Sequence, residues 1–579
     1  MRVDAPPERA LLGHGVQNLR MIGEAADAIA SGAWSGPLTN GEALDIARAL
    51  VDERDPDTVV RDLPWAVAVE RADGRVFASC STMFLAGLFY RCAPGGDALA
   101  LATDPAAAVR APSGTGRRQL NPAFLRGFAR ARSATSETPY DQVHRLAPGQ
   151  TLSWAPRESS PSITEWLGAE ALPTPCLDDA SGLIERYLRT FDTVVAELAR
   201  RTPHLVATVS GGLDSTFMAA ALARAVTPGR RAYGYCHTPL RHAHALPRGR
   251  FDPDDFPLAQ LMASRYPAQL RIAPLRNDAE VHPLDAAAAM SARSGFPVLS
   301  PGNAVWLNAF AGVTNAHGAT LRFHAGTGNA SYSYDHRYAA GWYLRRGQLG
   351  KLASLHRGRE RGTSTVRALR HRVAAPLRPR RRAAETTERG FLRGSEAGLR
   401  EYEDRQWYLD WLIGRRGSFA SAFNPAESYP ALVADPFAAR SMIELAAAIE
   451  PRVWQEGHGS RSFARRLAQG RVPDPIRLRE RRGGQAMDTW YVVRRQPARM
   501  VRGLEILASS GIFAGELDAD GVFAWWRAAC DLGPHEAPDQ AALKRLLRLV
   551  ALAEFAESFS PTVPCPEPSA SPDQAQGAA

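Results

Sequence analysis

The sequence predicts an α/β protein in two parts: a β-rich N-terminal region, then a larger α/β domain built on a parallel sheet. Three observations carry that expectation. Short apolar strands separated by tight turns crowd residues 60–155. Beyond residue 178, strands alternate with helices, the βαβ rhythm of a parallel sheet covered by helices. A glycine pair, Gly211-Gly212, stands where one of those strands meets a helix.

Taken in order, Trp65-Ala-Val-Ala-Val-Glu70 and Arg75-Val-Phe-Ala-Ser79 flank Ala72-Asp73-Gly74 and read as a hairpin. Ala98-Leu-Ala-Leu-Ala-Thr103 is a further strand, stopped by Asp104-Pro105. Asn121-Pro122 pairs an N-cap with proline at the first helical position, and opens a helix through Phe124, Leu125 and Phe128. Leu146-Ala-Pro-Gly-Gln-Thr-Leu152 is a turn entering a strand. Proline and serine enrichment over 155–178 predicts a linker, which sets the domains at 1–165 and 178–560. In the second domain a helix near Gly182–Arg200 precedes the strand His204–Val209. Strands at Arg231–Tyr235 and Thr320–His324 follow. The arginine-dense stretch 356–384 suits either a solvated face or a basic flap over phosphates or an acidic peptide. Residues 561–579 are a disordered tail by composition.

Composition narrows the function classes. A chain of 579 residues can bury two or more cores. No apolar run approaches the roughly 18 residues of a membrane span, and the N-terminus lacks the apolar stretch of a signal peptide, so a cytoplasmic protein is expected. The six cysteines form no CxxC pair and no Cys/His cluster, which predicts buried free thiols rather than a disulfide framework or a zinc site. The net charge is +10 with only two lysines, Lys351 and Lys544. Such a surface attracts an acidic peptide or a nucleotide, but no zinc-finger, helix-turn-helix or RNA-binding signature points to nucleic acid.

The segment Val206-Ala-Thr-Val-Ser210-Gly211-Gly212-Leu213-Asp214-Ser215-Thr216 carries the chemistry. A buried strand ends, glycines make the turn, and a helix opens near Asp214-Ser215. Glycines let backbone N–H groups approach a polyphosphate with no Cβ in the way. The helix N-terminus adds aligned donors and the positive end of its dipole. The Ser210 and Ser215 hydroxyls can donate to phosphate oxygens, and the Asp214 carboxylate is a hard ligand suited to Mg²⁺. An ordinary capped strand–turn–helix would need less than this full pattern. The lysine of a Walker A loop is absent, so γ-phosphate transfer is not implied. Elsewhere Asp335 reads equally as a second Mg²⁺ ligand or as a turn cap. Asp254 and Asp255 read as acids opening a helix, with a metal role as the alternative. His237 reads as a surface histidine, with proximity to a nucleotide base as the alternative. Tyr235 either flanks the nucleotide through its backbone or packs in the core.

The SGGLDS segment resembles the pyrophosphate loop of the N-type ATP pyrophosphatases, and the whole chain resembles the asparagine synthetase superfamily within that group. The LAPGQTL run resembles part of the family's glutaminase-like (Ntn-type) domain. Gly326-Thr-Gly328-Asn329 falls where the family has its second glycine-containing nucleotide loop. The resemblance implies a glutaminase-like domain followed by an adenine nucleotide α-hydrolase-like synthetase domain. It implies ATP and Mg²⁺ as cofactors, with adenylation of a carboxylate, amide formation and release of AMP and diphosphate. The implied nucleotide residues are Ser210, Gly211, Gly212, Leu213, Asp214, Ser215, Tyr235, Gly326, Gly328 and Asn329, with Asp214 and Asp335 on the metal.

Departures from the family pattern refine this. Glutamine-dependent members expose a cysteine after Met removal, whereas this sequence has Arg2 and no cysteine before Cys80, so no glutaminase activity is expected. Gly328-Asn-Ala-Ser-Tyr-Ser-Tyr334-Asp335 is more similar to the lasso-peptide macrolactam synthetases (lasso cyclases), as are Ser300-Pro-Gly-Asn303-Ala-Val-Trp306 and Gly483-Gly-Gln485-Ala-Met-Asp488-Thr-Trp490. That subgroup implies a precursor peptide whose Asp or Glu side chain is adenylated and closed into a macrolactam by the peptide's own α-amine. A leader-binding protein and a leader peptidase would be the partners. A β-lactam-synthetase-like enzyme and a non-catalytic nucleotide or peptide binder are the alternatives. Asp435-Pro-Phe437-Ala-Ala-Arg440 resembles the family's PFLD segment, with Ala439 where Asp is usual. Pro473–Gly483 resembles the stretch holding the catalytic lysine, with Arg482 at the matching position. A guanidinium there implies electrostatic stabilisation, because its pKa is too high for a base.

Overall fold

The computed structural model of the chain describes residues 11–12, 16–18, 29–85, 87–93, 95–110, 119–130, 136–240, 251–252, 254–319, 321–336, 338–357, 391–392, 404–414, 432–456, 460–533 and 536–559. The expected C-terminal tail and most of the arginine-dense stretch lie outside the described residues.

Ten strands build the N-terminal part: β1 Leu11–Leu12, β2 Val16–Asn18, β3 Ile29–Ser35, β4 Ala66–Arg71, β5 Val76–Cys80, β6 Leu88–Cys92, β7 Leu99–Ala102, β8 His144–Leu146, β9 Gln150–Trp154 and β10 Ser162–Glu165. They form a six-stranded antiparallel sheet, β10-β9-β5-β4-β3-β2, and a four-stranded sheet, β1-β7-β6-β8. The β4–β5 hairpin forms at the expected turn. Gly74 takes φ +81° and its N–H donates to the Arg71 carbonyl at 2.8 Å. Strand periodicity then sorts the side chains. Ala66, Ala68, Val76, Ala78 and Cys80 face Leu88, Leu101 and Leu146 between the two sheets. Val67, Val69 and Phe77 face the other way, toward Ile46 and Leu50 of the helix Asn40–Val51.

Two expectations need correction here. Residues 162–165, placed in a linker, form edge strand β10, paired with β9 and exposed at every position. A strand with solvent on both faces needs no apolar residues, so composition cannot mark it. The thiols are not uniformly buried: Cys80 and Cys236 are, but Cys176 and Cys530 are exposed. Burial pushes the Cys80 thiol up to about 12, which leaves it a neutral core group.

The second part is a parallel sheet in the order β14-β12-β11-β15-β16. Its strands are β11 Leu205–Thr208, β12 Ala232–Thr238, β14 Leu270–Arg276, β15 Leu321–Phe323 and β16 Leu432–Ala434. A short parallel pair, β13 Phe251–Asp252 with β17 Arg482–Gly483, stands apart from it. Leu205, Ala207 and Val209 face Phe191 and Phe217 of the helices Ala180–Arg201 and Leu213–Ala225, while Val206 faces Phe310 of the helix Ala304–Ala316. Both faces are thus covered, as a parallel sheet requires. Among the described residues no helix is long and apolar enough to cross a membrane.

The two parts share one core. A single apolar cluster runs from Trp34, Ile46, Trp65 and Phe77 to Phe191, Phe217, Phe437 and Trp454. Polar contacts reinforce the seam. Arg440 Nη1 lies 2.6 Å from Asp55 Oδ2, with its guanidinium 5.6 Å over the Trp166 ring, and Arg201 Nη2 lies 2.6 Å from Glu42 Oε1. Beside Arg440, Asp57 is buried, taking a 3.3 Å hydrogen bond from Trp65 Nε1. Burial pushes its carboxyl up to about 8, although Arg440 at 3.8 Å pulls the other way.

Candidate active site

Strand β11 delivers the chain into the glycine turn at the carboxyl edge of the sheet, where open α/β sheets place ligands. The turn is held from within. Ser210 N–H donates to Ser215 Oγ at 3.0 Å, Gly212 N–H to Ser210 Oγ at 3.1 Å, and Thr216 Oγ1 to the Gly212 carbonyl at 2.8 Å. The helix Leu213–Ala225 begins at Gly212 with no side-chain cap, so its first-turn N–H groups keep their capacity for an anion. Beneath it, Phe217 stacks on Tyr332 at 4.5 Å and fixes the helix against the second loop.

That second loop, Gly326–Ser331, follows β15 and is pinned by the fully buried Asp435. Asp435 Oδ2 accepts the Thr327 N–H at 2.7 Å and Oδ1 accepts the Phe437 N–H at 3.1 Å. Gly328 sits against Asp214: a Cβ built on it would meet Asp214 Oδ1 at 2.9 Å. Asp435 thus holds the loop, while Ala439 in the same segment is buried and offers no polar side chain.

The turn and loop open on a cavity of about 730 Å³. Asp214 and Asp335 both line it, joined through Arg461. Arg461 Nη1 lies 3.4 Å from Asp214 Oδ2, and the Arg461 N–H donates to Asp335 Oδ1 at 2.6 Å. Asp214 Oδ1 is buried without a hydrogen bond of its own, and burial pushes this carboxyl up against the pull of Arg461, the nearby Ser333 hydroxyl and the Asp214 backbone N–H. A buried carboxylate oxygen without a donor is a costly arrangement that a cation relieves. Among the described residues no three His, Cys, Asp or Glu side chains gather as a metal cage. Two carboxylates facing one cavity still fit Mg²⁺, which takes one or two protein carboxylates and completes its shell with phosphate and water. Asp214 and Asp335 would hold it.

One cavity thus collects Ser210, Gly212, Asp214, Ser215, Tyr235, Gly326, Asn329, Asp335 and Arg482. Three residues expected at the nucleotide stand behind its surface. Gly211 abuts Arg479, the Leu213 side chain enters the core, and Gly328 backs Asp214. Tyr235 contributes its strand position, since its hydroxyl turns away to His317 at 2.6 Å.

Other expectations change. Asp335 is not a local turn cap, because its carboxylate reaches a backbone N–H 126 residues away. His237 is not a surface group: its side chain is 8% exposed, 5.4 Å from the Trp306 ring and 4.0 Å from the buried Asp488 carboxylate. Burial lowers its pKa, which keeps the ring neutral. Asp254 does open the helix Phe256–Arg265, accepting the Phe256 N–H at 2.9 Å. Asp255, beside it, lines the cavity and pairs with Arg479 at 2.7 Å.

Arg461 and Arg479 escaped the sequence reading. Arg479, three residues before Arg482, is the arginine that grips the turn, donating to the Gly211 carbonyl at 3.1 Å and to Asp252 Oδ2 at 2.9 Å. Arg482 is exposed at the cavity rim on β17. Trp407 and Trp411 were also missed, although their spacing on the helix Arg405–Leu412 was a usable signal.

Residues 186–513 match the family model for asparagine synthase. A search of curated proteins finds no match to the chain.

Proposed function

The chain belongs to the asparagine synthase family, and we propose from that premise that it is an AMP-forming lasso cyclase. The family implies an ATP-dependent ligase that makes an amide bond. In our reading the carboxyl is an Asp or Glu side chain of a precursor peptide, and the amine is that peptide's own N-terminus. The observation that carries the adenylating part is the partnerless Asp214 oxygen beside an uncapped helix N-terminus. There the diphosphate end of ATP meets N–H donors, which leaves the α-phosphorus open to an incoming carboxylate oxygen. The bond to diphosphate breaks as the acyl–adenylate bond forms. The amine then attacks the acyl carbon, AMP departs, and the amine proton is lost to solvent or base.

Mg²⁺ on Asp214 and Asp335 would neutralise charge on the departing diphosphate. Arg461 orients both acids, Arg479 fixes the turn, and Arg482 supplies positive charge at the rim without acting as a base. Holding both ends of one peptide in one cavity replaces a second-substrate encounter. The GNASYSYD and GGQAMDTW segments support a peptide substrate over a small amino acid derivative of the β-lactam synthetase kind.

The test is incubation with ATP, Mg²⁺ and a leader-free precursor peptide. The expected result is one AMP and one diphosphate per product that has lost one water. Asp214→Ala abolishes it, and Arg482→Ala lowers turnover. Formation of ADP and phosphate would refute the proposal. Unchanged turnover in Arg482→Ala would withdraw the role of that arginine alone.

A further inference from the structure

The helix Arg405–Leu412 divides its faces sharply. Tyr408, Leu409 and Leu412 are buried in the core, whereas Trp407 and Trp411, one helical turn apart, are half-buried and line the cavity. Their ring centroids lie 5.4 Å apart. Trp411 meets Tyr334 edge-on at 5.1 Å, and Tyr334 stacks on the fully buried Tyr408 at 5.2 Å. The core thus braces a wall of three aromatic rings. Through Tyr334 the wall adjoins Asp335 and the acidic centre of the site.

Charge decides what such a wall can take. Aromatic faces attract either a cation or another ring. The carboxylates lining the cavity among the described residues are Asp214, Asp255 and Asp335, and each is engaged: with Arg461, with Arg479 and with the Arg461 N–H. Arg461 and Arg482 also line the cavity. A cationic guest would meet two guanidinium groups, and the one acidic oxygen there without a hydrogen bond, Asp214 Oδ1, is the one assigned above to Mg²⁺. A neutral ring would gain stacking and apolar burial at no electrostatic cost.

We infer that the Trp407–Trp411–Tyr334 wall receives an aromatic side chain of the substrate, beside the carboxyl group that is activated. This rests on the synthetase reading above and names the substrate class within it: an acidic residue flanked by an aromatic one.

Three capped tripeptide amides test it: acetyl-Phe-Asp-Phe, acetyl-Leu-Asp-Leu and acetyl-Lys-Asp-Lys. Their binding to the full chain is measured by saturation-transfer NMR, with Mg²⁺ and α,β-methylene-ATP present. The Phe peptide should bind at least about fivefold more tightly than the other two. Trp407→Ala and Trp411→Ala should each erase most of that preference, Trp411→Phe should retain it, and Kd for Mg²⁺·α,β-methylene-ATP should stay within about twofold throughout. The inference is overturned by equal binding of the three peptides, by tighter binding of the Lys peptide, or by a Phe preference that survives both alanine variants. A parallel loss of nucleotide affinity would also overturn it, since the wall would then be only a structural support. Products of ATP are assayed separately, so ADP formation would sink the synthetase reading without touching the peptide preference.

Discussion

Gly328→Ala isolates the closest approach in the site. The added methyl would lie 2.9 Å from Asp214 Oδ1 and 3.0 Å from Asp214 Cβ. Comfortable contacts begin near 3.5 Å, so the carboxylate and its backbone must retreat by roughly 0.5–1 Å. Gly328 has no left-handed φ and starts a short helix, so alanine itself fits the backbone. The cost falls on the position of Asp214. A misplacement of about 1 Å at a reacting centre costs on the order of 100-fold, so turnover should fall by about 10- to 100-fold, or roughly 1.4–2.8 kcal/mol of barrier. The assay is diphosphate release at saturating ATP and precursor peptide, repeated across a Mg²⁺ titration, where the half-saturating Mg²⁺ should also rise. Gly312→Ala is the control. That glycine sits on the exposed side of the helix Ala304–Ala316 with no atom within 4 Å of the new methyl. It should leave the rate alone and stabilise the fold by about 0.5–1 kcal/mol. If Gly328→Ala turned over within twofold of the parent at every Mg²⁺ concentration, Asp214 would not be where the chemistry needs it.

Two further predictions follow from charge and strain. Arg461 holds a left-handed φ of +57°, but its guanidinium is also the ionic partner of the largely buried Asp214, so Arg461→Gly should lower Tm despite relieving about 1 kcal/mol of backbone strain, and should cut AMP formation at least about tenfold. Parent-level AMP formation by the folded variant would exclude a functional Arg461. At the seam, the Asp57 carboxyl is raised from its ordinary 3.8 to about 8, so the folded chain keeps a proton that the unfolded chain releases. The stability this contributes is whole below pH 3.8 and drains away as pH climbs toward 8. Asp57→Asn should therefore melt higher than the parent at pH 9, with the gap narrowing toward pH 5. A constant gap across that range would disprove the shift.

The parts legible in the sequence were those whose signal is local. The β4–β5 hairpin announces itself through Asp73-Gly74, the helix Pro122–Ala129 through Asn121, whose side chain accepts the Phe124 N–H at 3.0 Å, and the glycine turn through its own residues. Strands that depend on their neighbours were not legible. β14 carries Pro274 and two arginines and lies at the sheet edge, and β16 is three residues long, so neither shows a strand period. The site's charge network was hidden for a similar reason: Arg461 reaches Asp214 across 247 residues and Arg479 reaches Gly211 across 268. Burial misled the reading of His237, because a polar residue at a strand end looks solvated until Trp306 and Asp488 close around it.

The apolar cluster that crosses from the sheet sandwich into the parallel-sheet layer has a consequence for how this chain can change over generations. Cutting at the turn before Ala180 would take Glu42 and the Pro37 carbonyl away from Arg201, the last residue of the helix that packs Phe191 against Phe217 beneath the glycine turn. The first 165 residues are foundation, whatever chemistry they perform. Selection on ligase activity alone is enough to preserve them, and a shortened variant would sooner aggregate than work.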